Sequence, residues 1–270
     1  MGLLKSLLAA LSASTLISAS TSRTGTGDDI QKPIELGNYA CEHPPYKVLM
    51  VSKSPLVIYI KDFLTPPERA HLLNLTDKTF TRSGVTSGNS KSHLSVRTSQ
   101  STTAPRDAVV RCIESRALAF QGYDTPETHL EPLQLVKYGP SERYHFHTDW
   151  FTSSSHTQGL GGNRVSSFFA YVHVANDTMG GGTNFPRLDA PANDKWCQEG
   201  IVDCDEEWEN GVTFRPVEGN AIYWENLLLD GRGDERTLHA GLPVLSGGKV
   251  GMNIWTRQEP LPEGIRGDDL

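Results

Sequence analysis

The densest set of metal-capable side chains in the sequence is Tyr144-His145-Phe146-His147-Thr148-Asp149-Trp150. On a strand, residues two apart project to the same face, so His147 and Asp149 would present an imidazole and a carboxylate side by side. A third ligand must come from elsewhere in the chain. Two histidines and one carboxylate occupy one face of an octahedral iron(II) and leave the opposite positions open for a co-substrate and O2, which suits an oxygenase. His145 shares that face, but it lies roughly 13 Å along the strand from Asp149, at about 3.3 Å per residue. A binuclear zinc hydrolase using His145, His147 and Asp149 is the rival reading, and it would need more ligands nearby. His129-Leu130-Glu131 repeats the spacing type, between Pro126 and Pro132 in an expected loop, and no partner pattern follows it.

Among the other histidines, only His239 has a chemically informative neighbourhood: Arg236-Thr-Leu-His239-Ala-Gly-Leu-Pro243-Val-Leu-Ser-Gly-Gly248-Lys249-Val-Gly-Met-Asn-Ile-Trp255. A turn from Pro243 to Gly248 predicts a hairpin that sets Lys249 nearly opposite His239, with cross-strand Cβ atoms roughly 5 Å apart. A five-carbon diacid such as 2-oxoglutarate could then chelate a metal held by His147, Asp149 and His239 while Lys249 neutralises its far carboxylate.

The elements that must position these residues can be read from periodicity. Leu56–Ile60 reads as a strand leading into Thr65-Pro66-Pro67-Glu68, an N-cap threonine, prolines at the helix start and a capping-box glutamate. A helix should follow through about Thr76. A second helix is expected over 105–121, where Val109, Ile113, Ala117 and Phe120 form one apolar face before Gly122. From Glu131 onward, short Val-, Tyr-, Phe-, Ile- and Trp-rich runs between Gly, Pro and Asn clusters predict strands at 133–138, 143–149, 165–175, 212–215, 220–225, 236–242 and 249–256. Two helices followed by seven or eight strands predict a mainly β, α+β fold: a double-stranded β-helix, or jelly roll, buttressed by the N-terminal helices.

The remaining sequence bounds the setting. A chain of 270 residues with 37% hydrophobic content can bury one substantial core. A formal net charge of −7 without a long basic block excludes a large nucleic-acid footprint. Residues 1–19 carry Lys5, an apolar stretch and then small residues, the layout of a signal peptide, or of a short membrane anchor if uncleaved. Residues 20–46 read as a linker or loosely attached lead-in, 47–257 as the catalytic domain and 258–270 as a polar tail. Four cysteines, Cys41, Cys112, Cys197 and Cys204, permit disulfides, and Cys197 with Cys204 could clip one loop. The glycosylation triplets Asn74-Leu-Thr76 and Asn176-Asp-Thr178 fit the same secretory setting, the endoplasmic reticulum lumen or the exterior.

Several of these motifs, in order, resemble the prolyl 4-hydroxylase family over roughly residues 55–257. Val96-Arg97-Thr98-Ser99 is similar to its early Arg-Thr-Ser element, and Leu135 to Asp149, through Tyr138 and Tyr144, to its tyrosine-flanked metal motif. Gly180-Gly-Gly-Thr183-Asn-Phe185-Pro186 is similar to its Gly-Gly-x-Thr-x-Phe-Pro turn, Phe214 to Ala221 to the element after it, and His239-Ala-Gly-x-Pro-Val with Lys249 completes the series. The resemblance implies iron(II) held by His147, Asp149 and His239, and 2-oxoglutarate contacted by Lys249, Tyr138 and Thr183. It also implies Tyr144, Arg164 and Trp255 lining the substrate groove or co-substrate pocket, with L-ascorbate maintaining the iron. The implied reaction is hydroxylation with O2, coupled to decarboxylation of 2-oxoglutarate to succinate and CO2, on a peptidyl proline or on a small molecule or free amino acid. A catalytically silent jelly-roll binding module is the alternative from another class. The stretch 187–210 is longer and more acidic than the family core.

Overall fold

Thr65 opens the first helix as its type and spacing require. Its hydroxyl accepts from the Glu68 amide while the Glu68 carboxylate accepts from the Thr65 amide at 2.8 Å, closing a capping box on helix α1, Pro66–Thr76. The second helix, α2, spans Ala108–Gln121. It starts three residues later than expected because the Asp107 carboxylate takes the Val109 and Val110 amides at 3.0 Å each, leaving Pro105 and Arg106 outside. Gly122 ends it in the left-handed conformation at φ 74. The buried Arg116 of α2 grips Glu68 of α1 at 2.5 and 2.9 Å.

The computed structural model describes residues 34–84, 97–122, 124–189, 194–205 and 210–267. The expected signal segment, the first part of the lead-in and Val96 lie outside them, as does part of the acidic run, residues 206–209. The strands are β1 (Lys47–Lys53), β2 (Leu56–Lys61), β3 (Thr81–Arg82), β4 (Gln100–Thr103), β5 (Gln134–Tyr138), β6 (Tyr144–His147), β7 (Arg164–Val174), β8 (Met179–Gly180), β9 (Thr183–Phe185), β10 (Val212–Phe214), β11 (Ala221–Glu225), β12 (His239–Gly241), β13 (Val244–Ser246) and β14 (Lys249–Arg257). One sheet runs β1-β2-β11-β7-β14-β5-β4-β3, a second runs β10-β9-β12-β6, and β13 pairs with β8. The mainly β, jelly-roll expectation agrees with this architecture.

Strand periodicity divides the large sheet's side chains between two cores. Ile60, Leu135, Phe168, Ala170, Val172, Ala221, Tyr223, Val250, Met252 and Ile254 pack with Leu72, Val109, Val110, Ile113 and Ala117 of the helices. Their alternating neighbours Val57, Tyr59, Val136, Tyr138, Phe169, Tyr171, Ile222 and Trp224 face Phe185, Val212 and Phe214 of the small sheet. Strands buried on both faces lose the polar alternation of a half-exposed sheet.

The predicted hairpin is not formed. His239 lies on β12 in the small sheet, between β9 and β6, whereas Lys249 begins β14 in the large sheet, opposite Tyr138 and Val174. The residues between them are not a turn, because Val244–Ser246 is itself a strand engaged by Met179–Gly180. The expected strand 236–242 shortens to His239–Gly241 after a 3-10 turn at Glu235–Thr237.

The described part of the lead-in is fastened: Ile34 and Tyr39 pack against the helix-side core and Cys41 is bonded to Cys112. The second disulfide joins Cys197 and Cys204. At the other end Leu261 and Arg266 are buried, and Arg266 donates to the Leu130 carbonyl at 3.2 Å.

Candidate active site

The small sheet brings the metal-capable residues together. In the antiparallel pairing of β12 with β6, His239 stands directly opposite His147, with ring centroids 4.3 Å apart. Asp149 lies two residues past the end of β6 in a bend, and is 5% exposed. His147 Nε2 is 3.8 Å from Asp149 Oδ1 and His239 Nε2 is 3.8 Å from Asp149 Oδ2. These separations are too long for hydrogen bonds, so the groups do not satisfy one another.

The chemistry of the donor set fits one cation. Each ring's Nδ1 is 2.8–2.9 Å from a carbonyl two residues earlier, His145 O for His147 and Thr237 O for His239. A carbonyl only accepts, so Nδ1 carries the proton and Nε2 keeps its lone pair. Burial first, then neighbouring His239, pushes the His147 pKa down to about 3, which keeps that ring neutral. Burial would raise the Asp149 pKa, but His239, His147, Arg164 and the Trp255 hydrogen bond outweigh it and bring it to about 2. One carboxylate and two imidazole Nε2 atoms, with ligand atoms all within 4.8 Å of each other, are the donor set for a divalent metal such as iron(II). His145 is exposed and outside the cluster, and no further ligand joins it among the described residues. Cys41, His43 and Cys112 form another close group, but both sulfurs are bound in the disulfide.

The cluster opens into a cavity of about 550 Å³. Tyr138, Phe169, Thr183 and Trp224 lie on its wall with the three ligands, as do Tyr144, Phe146, Trp150, Phe151, Arg164 and Trp255. Lys249 is 1% exposed and stands behind that wall rather than on it. Its Nζ donates to the Gly181 carbonyl and lies 5.0, 5.5 and 5.8 Å from the Tyr138, Phe169 and Tyr171 ring centroids. Burial pushes its pKa down to about 7. The Thr183 hydroxyl is 2.8 Å from the Tyr171 hydroxyl.

Residues 133–257 match the 2OG-Fe(II) oxygenase superfamily. "Prolyl 4-hydroxylase 2" of Arabidopsis thaliana is 32% identical over 215 residues, covering 78% of this chain and 70% of that protein. The chain belongs to the prolyl 4-hydroxylase family. Its members include "Prolyl 4-hydroxylase subunit alpha-3" of Mus musculus, 28% identical over 231 residues, 82% of this chain and 38% of that protein. The fold is shared with the viral collagen prolyl hydroxylase of Paramecium Bursaria Chlorella virus-1 in its 2OG complex, at a TM-score of 0.54 and 22% identity over 74% of this chain and 95% of that one. As a 2-oxoglutarate-dependent dioxygenase, the protein takes iron(II) and 2-oxoglutarate.

In this member of the family, the three expected groove residues line the cavity, yet each is also engaged with a ligand or its support. Tyr144 stacks on His147 at 3.6 Å, and Arg97 sits over the other part of that pair, 4.6 Å from the Tyr144 ring. Trp255 donates its indole N–H to Asp149 Oδ2 at 3.0 Å. Arg164 lies 3.6 Å over the Trp255 ring and binds Glu131 through Nε and Nη2 at 2.7 and 2.8 Å. Glu131, from the discounted His129-x-Glu131 pair, is thus a half-buried counter-ion: burial raises its pKa, but Arg164 and Arg257 outweigh that and hold it low.

Sequence reasoning passed over Gln134, Trp150, Phe151 and Asn253 on the cavity wall. Trp150 carried a signal in hindsight, since it ends the metal motif; its N–H donates to the Asp234 carbonyl at 3.2 Å, and Gly233 must be glycine because a Cβ there would lie 2.1 Å from the Trp150 ring.

Proposed function

We propose that this protein 4-hydroxylates proline in an extended peptide, in the endoplasmic reticulum lumen or outside the cell, with L-ascorbate maintaining the iron. The observation that carries the reading is the three-ligand cluster opening into a cavity whose lining includes five aromatic side chains: Tyr144, Phe146, Trp150, Phe151 and Trp255. Proline-rich segments are pre-extended and dock against aromatic walls at small entropic cost. The names of its relatives, prolyl 4-hydroxylases from plants and mammals, support the same substrate class. The two disulfides and the N-terminal residue pattern support the compartment, as do Asn74 and Asn176, which are exposed and offered as glycosylation sites. No helix among the described residues is long and apolar enough to cross a membrane.

Iron(II) with 2-oxoglutarate and O2 supplies the hydroxylation, releasing succinate and CO2. His147, Asp149 and His239 would hold the metal, and the carbonyl-bonded Nδ1 atoms keep both Nε2 lone pairs aimed at it. Lys249 would answer the far carboxylate of 2-oxoglutarate through the Tyr138 and Thr183 side of the wall, a charge-assisted contact in a buried setting. Trp224 and Phe185 pack 4.8 and 5.4 Å from the His239 ring and would keep water from that ligand.

Purified protein given iron(II), 2-oxoglutarate and ascorbate should release succinate when a proline-rich peptide is added, and the peptide should gain one oxygen by mass. Turnover only with free amino acids or other small molecules would refute the peptide reading and leave the enzyme class standing.

A further inference from the structure

The Asp149 carboxylate is held asymmetrically. Oδ2 accepts two hydrogen bonds, from Ser167 Oγ at 2.7 Å and from Trp255 Nε1 at 3.0 Å, whereas Oδ1 has no hydrogen-bond donor among the described residues. Ser167 lies on β7 and is fully buried, so its hydroxyl has few partners to choose between. Asn226, also fully buried and just past the end of β11, donates from Nδ2 to Ser167 Oγ at 2.9 Å. A hydroxyl that accepts from an amide N–H must send its single proton elsewhere, and the nearest acceptor is Asp149 Oδ2. Backbone bonds place the asparagine: its N–H donates to the Val165 carbonyl at 2.8 Å, and its own carbonyl accepts from the Asp234 amide at 2.8 Å. Asn226 Oδ1 has no partner, so the amide is set by what its N–H does for Ser167.

We propose that Ser167 and Asn226 are positioning residues of the metal site: a directed relay, Asn226 N–H to Ser167 O–H to Asp149 Oδ2, commits Oδ1 alone to the metal. With both lone pairs of Oδ2 occupied, the carboxylate is restrained from turning to grip the metal with two oxygens. The positions so kept open are the ones a bidentate co-substrate and O2 need. This inference rests on the reading of His147, Asp149 and His239 as the metal ligands.

The test is Mn(II) binding to the full-length, metal-free protein by calorimetry, without co-substrate. Ser167→Ala should weaken Mn(II) about 10- to 100-fold, the usual effect of removing a partner of a ligating group. Asn226→Leu keeps the serine and loses only the direction of its hydroxyl, so it should weaken binding about threefold, as for one neutral hydrogen bond. Thermal melts of the metal-free variants separate folding from positioning, because a merely structural role would lower the melting temperature without changing Mn(II) affinity. Should Ser167→Ala not fold, Asn226→Leu carries the test alone. Wild-type affinity in the folded variants would overturn the relay, whereas wild-type protein that takes no Mn(II) at all would overturn the metal site with it.

Discussion

Strand β14 belongs to two different environments at once. Its odd-numbered residues Lys249, Gly251, Asn253 and Trp255 face the small sheet, with Asn253 and Trp255 on the cavity wall, and Val250, Met252 and Ile254 join the helix-side hydrophobic core. The helix side is filled by residues chosen for volume. On the cavity side the strand presents an ammonium, a missing side chain, an amide and an indole, each tied to a particular partner. A period of two residues therefore separates stability from chemistry within a single strand, and substitutions one position apart should fail in different ways.

The largest effect is expected at the ligands. His147→Ala should abolish succinate release, a loss of at least about a thousandfold for a group acting with its partners as a unit, while the melting temperature of the metal-free protein stays close to wild type. Measuring both on one preparation breaks the comparison if they fall together. On the opposite face, Met252→Ala should cost about 2–5 kcal/mol in urea unfolding, from lost burial and the cavity left behind. The KM for 2-oxoglutarate of the folded fraction should not change.

Lys249→Met sharpens the comparison, because the lysine is buried at a cost to folding. The KM for 2-oxoglutarate should rise about a hundredfold in initial-rate assays, as for removal of a charge-assisted bond worth about 1.5–3 kcal/mol. In the wild type a folded pKa of about 7 against 10.5 for a free lysine side chain means that between those values the unfolded chain binds the extra proton. Stability without co-substrate should then rise with pH across that window, and Lys249→Met should remove this slope. Affinity for 2-oxoglutarate should conversely fall as pH rises past about 7, since binding a carboxylate needs the ammonium. Gly251→Ala is the smallest change: its Cβ would lie 2.2 Å from the Phe169 ring on the cavity wall. It should cost about 1–3 kcal/mol and raise the KM for 2-oxoglutarate about tenfold by displacing that ring, a factor worth about 1.4 kcal/mol.

Which parts of this could be read in advance follows from how local their causes are. The capping box at Thr65 and Glu68, the His147–Asp149 spacing and the apolar run of β7 depend on residues within a few positions of each other. The partner of a strand does not. The interval from His239 to Lys249 looks like a hairpin in one dimension, yet the chain crosses from one sheet to the other, and only the pairings of β12 and β14 reveal it. β9 hides in a glycine-rich stretch that reads as a turn, because burial between β10 and β12 rather than propensity makes it a strand. Ser167 and Asn226 carry no local mark at all, since a serine on a strand acquires meaning from a carboxylate 18 residues away in sequence.

Helix α2 is joined to both ends of the described chain. Cys112 holds Cys41 covalently near the front, and Glu114, bonded to Arg106, lies 3.8 Å from Arg266 near the back. Fraying inward from the tips, the commonest first step of local opening, is therefore blocked on each side by a fastening to the same element. A protease given the oxidised, folded molecule should nick exposed connections in the middle, such as the loop around Leu229, before it trims past Cys41 or Arg266.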